Sequence, residues 1–169
     1  LEYGNVIEDA SQLNRNDKEA QVMYFLMVDR FHNGNPENDK PFDEPDLHAK
    51  LNYHGGDIPG ITQKFKEGYF EKLGVNSIWI SPVVQNPTHC CSKDGKKSSG
   101  YHGYWPTVCT KVDSRFGSPS EFKEMVELAH QKGTNIILDY VANHVHEDSE
   151  VYKNNPEWAT PLILPDGSK

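Results

Sequence analysis

Three stretches of the chain hold residue types that do chemistry. The first is Asn135-Ile-Ile-Leu-Asp-Tyr-Val-Ala-Asn-His144, an apolar run that stops on polar groups at Asp139, Asn143 and His144. A lone carboxylate in an apolar strand is costly unless it is paired, metal-bound or aimed into a cavity, so Asp139 is expected at a working strand end. The plain alternative is an acid that caps the next turn. The second stretch is Gly100-Tyr-His-Gly-Tyr-Trp-Pro106, where aromatics, a histidine and two glycines crowd one loop. Aromatic faces stack on the apolar face of a sugar ring and an imidazole bonds its hydroxyls, although core packing uses the same residues. The third is Asn33-Gly-Asn-Pro-Glu-Asn-Asp39, followed by Gly55-Gly56-Asp57. Hard cations such as calcium take about six to eight oxygen ligands, and these residues offer them; a solvated Asx-rich turn needs no cation.

Two further constellations involve softer ligands. His144 and His146, with Glu147 and Asp148, have the makings of a two-histidine metal site in a metal-dependent hydrolase, but no other cluster supplies a third ligand. His89-Cys90-Cys91 with Cys109 suits zinc poorly, because adjacent cysteines rarely both reach one tetrahedral ion.

The elements that must position these groups follow from hydrophobic period. Val22 to Val28, within Gln21–Asp29, is expected as a strand covered on both faces and ending on an acid. Val75–Ile80 is a second strand, and the run from Ile136 to Val141 a third, also doubly covered. Between the first two, Ile61, Phe65, Phe70 and Leu73 fall on one side of a helix that Pro59 opens and Gly74 ends. A second helix opens on Ser118-Pro119-Ser120-Glu121, a capping box, and runs through Phe122, Met125, Val126 and Ala129 to Gly133. Strand, helix, strand, helix, strand calls for right-handed crossovers and a parallel sheet, an α/β fold. The long loops, 30–57, 81–117 and from 143 on, all follow strands, as on the catalytic face of a parallel sheet.

Composition narrows the partners. A formal net charge of -8 argues against nucleic acid and anionic membranes. No apolar run is long enough to span a bilayer, and the chain begins at Leu1 without a signal-peptide pattern, so it is expected to have been processed or cut. Cys90, Cys91 and Cys109 make no disulfide framework. An acidic chain with few cysteines fits an extracellular or periplasmic protein, and equally a cytoplasmic one.

Taken together these residues resemble the α-amylase family of glycoside hydrolases, from about Gln21 to the end. Tyr24 to Asn38 is similar to the family's first barrel strand and calcium loop, and Leu73 to Pro82 to its second strand. Tyr101-His-Gly-Tyr-Trp105 is similar to its substrate loop, and Asp139-Tyr-Val-Ala-Asn-His144 to its first signature region. The resemblance implies the N-terminal part of a (β/α)8 TIM barrel, truncated, with about three parallel strands and two intervening helices. A complete barrel takes about 250 residues, more than the 169 present. Residues 1–20 would be a lead-in segment, 21–144 the first strands and helices of the barrel, and 145–169 the start of an excursion, domain B.

The implied activity is retaining cleavage or transfer at α-glucosidic bonds of starch-like glucans. Tyr104 would stack on the sugar, His102, Trp105 and His144 would line the same subsite, and Asp139 would brace the centre without doing chemistry. Asn143 would be a ligand of one calcium, and Asn33, Asn35, Asn38, Asp39, Gly55 and Asp57 would hold a second. The family's catalytic carboxylates lie on later strands, so the 169-residue chain alone is expected to be inactive. A non-catalytic carbohydrate- or calcium-binding module would use the same groups.

Overall fold

The computed structural model describes residues 16, 19–93, 95–160 and 163–167. The expected lead-in, 1–20, falls almost entirely outside them. The described elements are β1 (Met23–Leu26), α1 (Val28–Phe31), α2 (Ile58–Lys66), α3 (Tyr69–Leu73), β2 (Ser77–Ile80), β3 (Val84–Gln85), β4 (Cys91–Lys93), β5 (Lys96–Ser98), β6 (Val108–Val112), α4 (Pro119–Gln131), β7 (Asn135–Leu138) and α5 (Glu150–Asn154).

The expected parallel sheet forms in the order β1-β2-β7. Its register aligns Phe25, Trp79 and Ile137 in one row and Leu26, Ile80 and Leu138 in the next. One face is covered: Leu26, Ile78 and Ile80 pack with Ile58, Ile61 and Phe65 of α2, Phe70 of α3, and Met125 and Ala129 of α4 in a single core. The other face is open. Phe25 is 44% exposed, Trp79 38% and Ile137 37%. This corrects the expectation of doubly covered strands: a continuous apolar run does not tell which face the described chain covers. The sheet is three parallel strands of the α/β barrel architecture and does not close on itself.

Other boundaries also differ. The strand expected over Gln21–Asp29 is four residues long, and Asp29 lies in the helical turn α1. The single helix expected before β2 is two, because Gly68 takes a left-handed φ of 70° between α2 and α3. That break turns Leu73, assigned to the core face, outward to 47% exposure. α4 opens as its sequence demands: the Ser118 hydroxyl accepts from Glu121 N–H, the Glu121 carboxylate accepts from Ser118 N–H, and Pro119 stands in the first turn. The loop after β2 folds into two small antiparallel pairs, β3 with β6 and β4 with β5, that hydrophobic period did not reveal.

Candidate functional site

Asp139 stands one residue beyond β7 rather than inside it, and its N–H still bonds Ile80 O at 3.2 Å. The sheet ladder therefore aims the carboxylate out of the strand end. The Tyr104 hydroxyl donates to Asp139 Oδ2 at 2.6 Å. Burial, then this bond and the carboxylate's charge, push the Tyr104 phenol up to about 12, so it stays a donor at neutral pH. His144 Nε2 lies 2.8 Å from Tyr104 O, and since a carbonyl only accepts, that nitrogen carries the proton.

His102 completes the group. Its Nδ1 accepts from Tyr104 N–H at 3.0 Å, which leaves the proton of the neutral ring on Nε2. Its ring lies near parallel to Tyr104, centroids 5.9 Å apart, and edge-on to Trp105 at 4.6 Å. Burial, with a smaller contribution from Arg30, pulls its pKa down to about 4. The structure thus brings together His102, Tyr104, Trp105 and His144, which the family resemblance assigns to one subsite, and Asp139, which it assigns to bracing the centre.

What holds this loop went unnoticed in the sequence. Asn86 Nδ2 donates to Gly103 O at 3.1 Å and its Oδ1 accepts from Trp105 N–H at 2.8 Å, so one amide clamps the backbone on both sides of Tyr104. Asn86 N–H donates to Asp113 Oδ2 at 3.0 Å. Asp113 in turn receives a two-pronged bond from Arg115, Nε to Oδ1 at 2.8 Å and Nη2 to Oδ2 at 2.5 Å. Asn86 and Asp113 are fully buried and Arg115 is 6% exposed, so the charges sit where their geometry must be complete. Gly103, with φ 86°, presses on the same wall: a Cβ there would fall 2.1 Å from Pro82 O. Asp113 and Arg115 are two apart in the sequence just before the α4 cap, which was the available signal; Asn86 gave none.

The loop after β1 is arranged differently. Asp57 caps α2 and gathers the loop: Oδ1 accepts from Gly34 and Gly60 N–H, and Oδ2 from Asn35 N–H and Asn38 Nδ2. Asn33 Nδ2 donates to Asp39 Oδ2 at 2.8 Å. Three side-chain oxygens, Asn33 Oδ1, Asn38 Oδ1 and Asp39 Oδ1, are buried with no hydrogen-bond partner among the described residues. A Cβ on Gly55 would land 2.4 Å from Asp39 Oδ1, so only glycine lets the backbone approach them. Among the described residues no three His, Cys, Asp or Glu side chains gather as a metal group. A cation in this loop would instead rest on amide and backbone oxygens with a carboxylate, a donor set that suits a hard ion.

The two-histidine alternative is not assembled. His144 bonds Tyr104, whereas His146 Nε2 lies 3.2 Å from Cys91 Sγ and its Nδ1 accepts from Asp148 N–H. Asn143 lines an open cleft of about 890 Å³ with Tyr140, His144, Tyr152 and Trp158.

The family described as "Alpha amylase, catalytic domain" matches residues 25–160. A cyclomaltodextrin glucanotransferase of Bacillus licheniformis is 37% identical over 139 residues, 80% of this chain and 19% of that protein. Another, from Geobacillus stearothermophilus, is 36% identical over 155 residues, 90% of this chain and 21% of its own. Among solved structures, an Anoxybacillus α-amylase superposes with a TM-score of 0.68 at 36% identity, covering 86% of this chain and 30% of that one. The chain spans about a fifth of the length of the curated relatives it matches.

Proposed function

The chain belongs to the α-amylase catalytic-domain family, and from that premise we propose that the protein carrying it acts on α-glucosidic bonds of starch-like glucans by a retaining mechanism, as a hydrolase or a glucanotransferase. The observation that carries the reading is the Tyr104 to Asp139 hydrogen bond inside the aromatic loop. It fixes a phenol ring whose face suits a sugar, flanked by His102 and Trp105. His102 offers Nε2–H to a hydroxyl, and His144 braces the Tyr104 carbonyl.

Neither strand-end acid is free for the reaction itself. Asp29 is buried and accepts from His54 and Gly55 N–H, and Asp139 is committed to Tyr104. Retaining cleavage needs a carboxylate nucleophile and an acid about 5 Å apart. We assign both to the part of the relatives' length that this chain does not span, and expect no turnover from these 169 residues alone.

We also assign calcium to the loop after β1. The unpartnered oxygens of Asn33, Asn38 and Asp39 fit such an ion, with Asn35, Gly55 and Asp57 completing the loop around it. Bound there, the ion would supply fixed positive charge that locks the loop. Asn143 is assigned to a second ion at the junction between the barrel part, 21–144, and the excursion from 145.

The test is calorimetric binding of a maltooligosaccharide, with starch hydrolysis and transfer assays on the complete protein. Tyr104→Ala should weaken glucan binding at least tenfold, about 1.4 kcal/mol. Unchanged affinity in that variant, or no action on any α-glucan by the complete protein, would sink the proposal.

A further inference from the structure

Arg30 lies between the two loops and belongs to neither of the sites assigned above. Its Nη2 donates to Lys50 O at 3.0 Å and Asn52 O at 2.9 Å, and its Nε sits 3.2 Å from Asp29 Oδ2. Asp29 is itself fixed by His54 and Gly55 N–H groups, so the guanidinium is anchored on two edges. Its flat face is left for Tyr101, whose ring centroid is 3.9 Å from the guanidinium carbon. Tyr101 then meets His102 edge-on, centroids 5.2 Å apart. A planar cation held in this way is a platform that a lysine cannot reproduce, because an ammonium is a point charge on a flexible stem.

We propose that Arg30 is a positioning residue for the His102 end of the glucan subsite: its anchored guanidinium carries the Tyr101 ring and, through it, sets where His102 presents Nε2–H. The inference rests on the sugar-subsite reading of Tyr104 and His102. The groups facing His102 are Tyr101, Trp105, the Tyr104 ring and N–H, and Arg30, with the Asp139 carboxylate beyond Tyr104. Arg30 is thus the cation of the set, and it adds to burial in keeping the imidazole neutral. A neutral ring has one donor, which makes its placement matter.

The experiment follows His102 by NMR against pH in the complete protein, together with maltooligosaccharide Kd, for the unaltered protein, Arg30→Gln, Arg30→Lys and Tyr101→Ala. Arg30→Gln should move the His102 midpoint up from about 4 toward the ordinary value near 6.5 and weaken binding about tenfold. Arg30→Lys should restore the low midpoint but not the Kd, a split that a merely structural role would not give. If Arg30→Gln does not fold, Tyr101→Ala cuts the same path from its other end and should weaken binding as much. Unchanged Kd in Arg30→Gln, or in Tyr101→Ala where that variant stands alone, overturns the proposal. If the unaltered protein binds no glucan, the sugar reading falls and the positioning inference falls with it; if it binds glucan and Arg30→Gln binds equally well, the positioning inference alone falls.

Discussion

Around Tyr104 the buried polar side chains Asn86, Asp113 and Arg115 all find protein partners, whereas in the loop after β1 the Oδ1 atoms of Asn33, Asn38 and Asp39 are buried with none among the described residues. Both loops leave the same ends of neighbouring strands. The first is completed by the chain itself, so its shape should be independent of solution conditions. The second keeps acceptors that nothing among the described residues satisfies, and each such group costs about 1–3 kcal/mol until a donor or cation arrives. One loop is a finished mould and the other is finished by what binds it.

The sharpest way to break this contrast is Asp113→Ala, which leaves the Arg115 charge buried and unpaired. It should lower stability by about 3–5 kcal/mol relative to the unaltered protein in chemical denaturation, by the same amount with and without calcium. Next in size is calcium itself. At about a hundredfold excess over Kd it should add about 2.7 kcal/mol in thermal melts, reversed by chelator. Asp39→Ala should abolish that gain while Asp113→Ala keeps it; equal gains in both variants would erase the distinction between the loops. Tyr104→Phe retains the ring and removes its bond to Asp139, so glucan affinity should fall by about 1 kcal/mol by calorimetry, less than in Tyr104→Ala. Ser118→Ala touches neither loop and should cost about 1 kcal/mol through the lost cap, with glucan and calcium affinity unchanged.

A last prediction is a slope rather than a step. His102 has a folded-state pKa near 4, below the ordinary imidazole value. The unfolded chain therefore binds the proton first on acidification, so this contribution is whole above pH of about 6.5 and is lost as pH falls to about 4. Denaturation midpoints across that window should show the loss, and His102→Gln should flatten it.

Local chemistry was legible in the sequence and tertiary partnership was not. Ser118, Pro119 and Glu121 form a capping box over four residues, so α4 could be read directly. Tyr104 and Asp139 could be placed about one centre only because two compact motifs resemble the α-amylase family; their hydrogen bond was not legible. Asn86 and Asp113, by contrast, are 27 positions apart and meet only because β3 pairs with β6. Which face of β1, β2 and β7 is covered was hidden for a related reason. Phe25 and Trp79 are as apolar as their buried neighbours Leu26, Ile78 and Ile80, so composition carries no sign of the open side.

Gly103 has a consequence for how this loop can vary. With φ 86° and no room for a methyl group against Pro82 O, the position accepts one residue type. In a saturation library selected for folded protein and read by deep sequencing, its row should be empty except for glycine, whereas rows 102 and 105 should stay populated under selection for fold alone. Diversification of the pocket is thereby confined to the side chains flanking a codon that cannot drift.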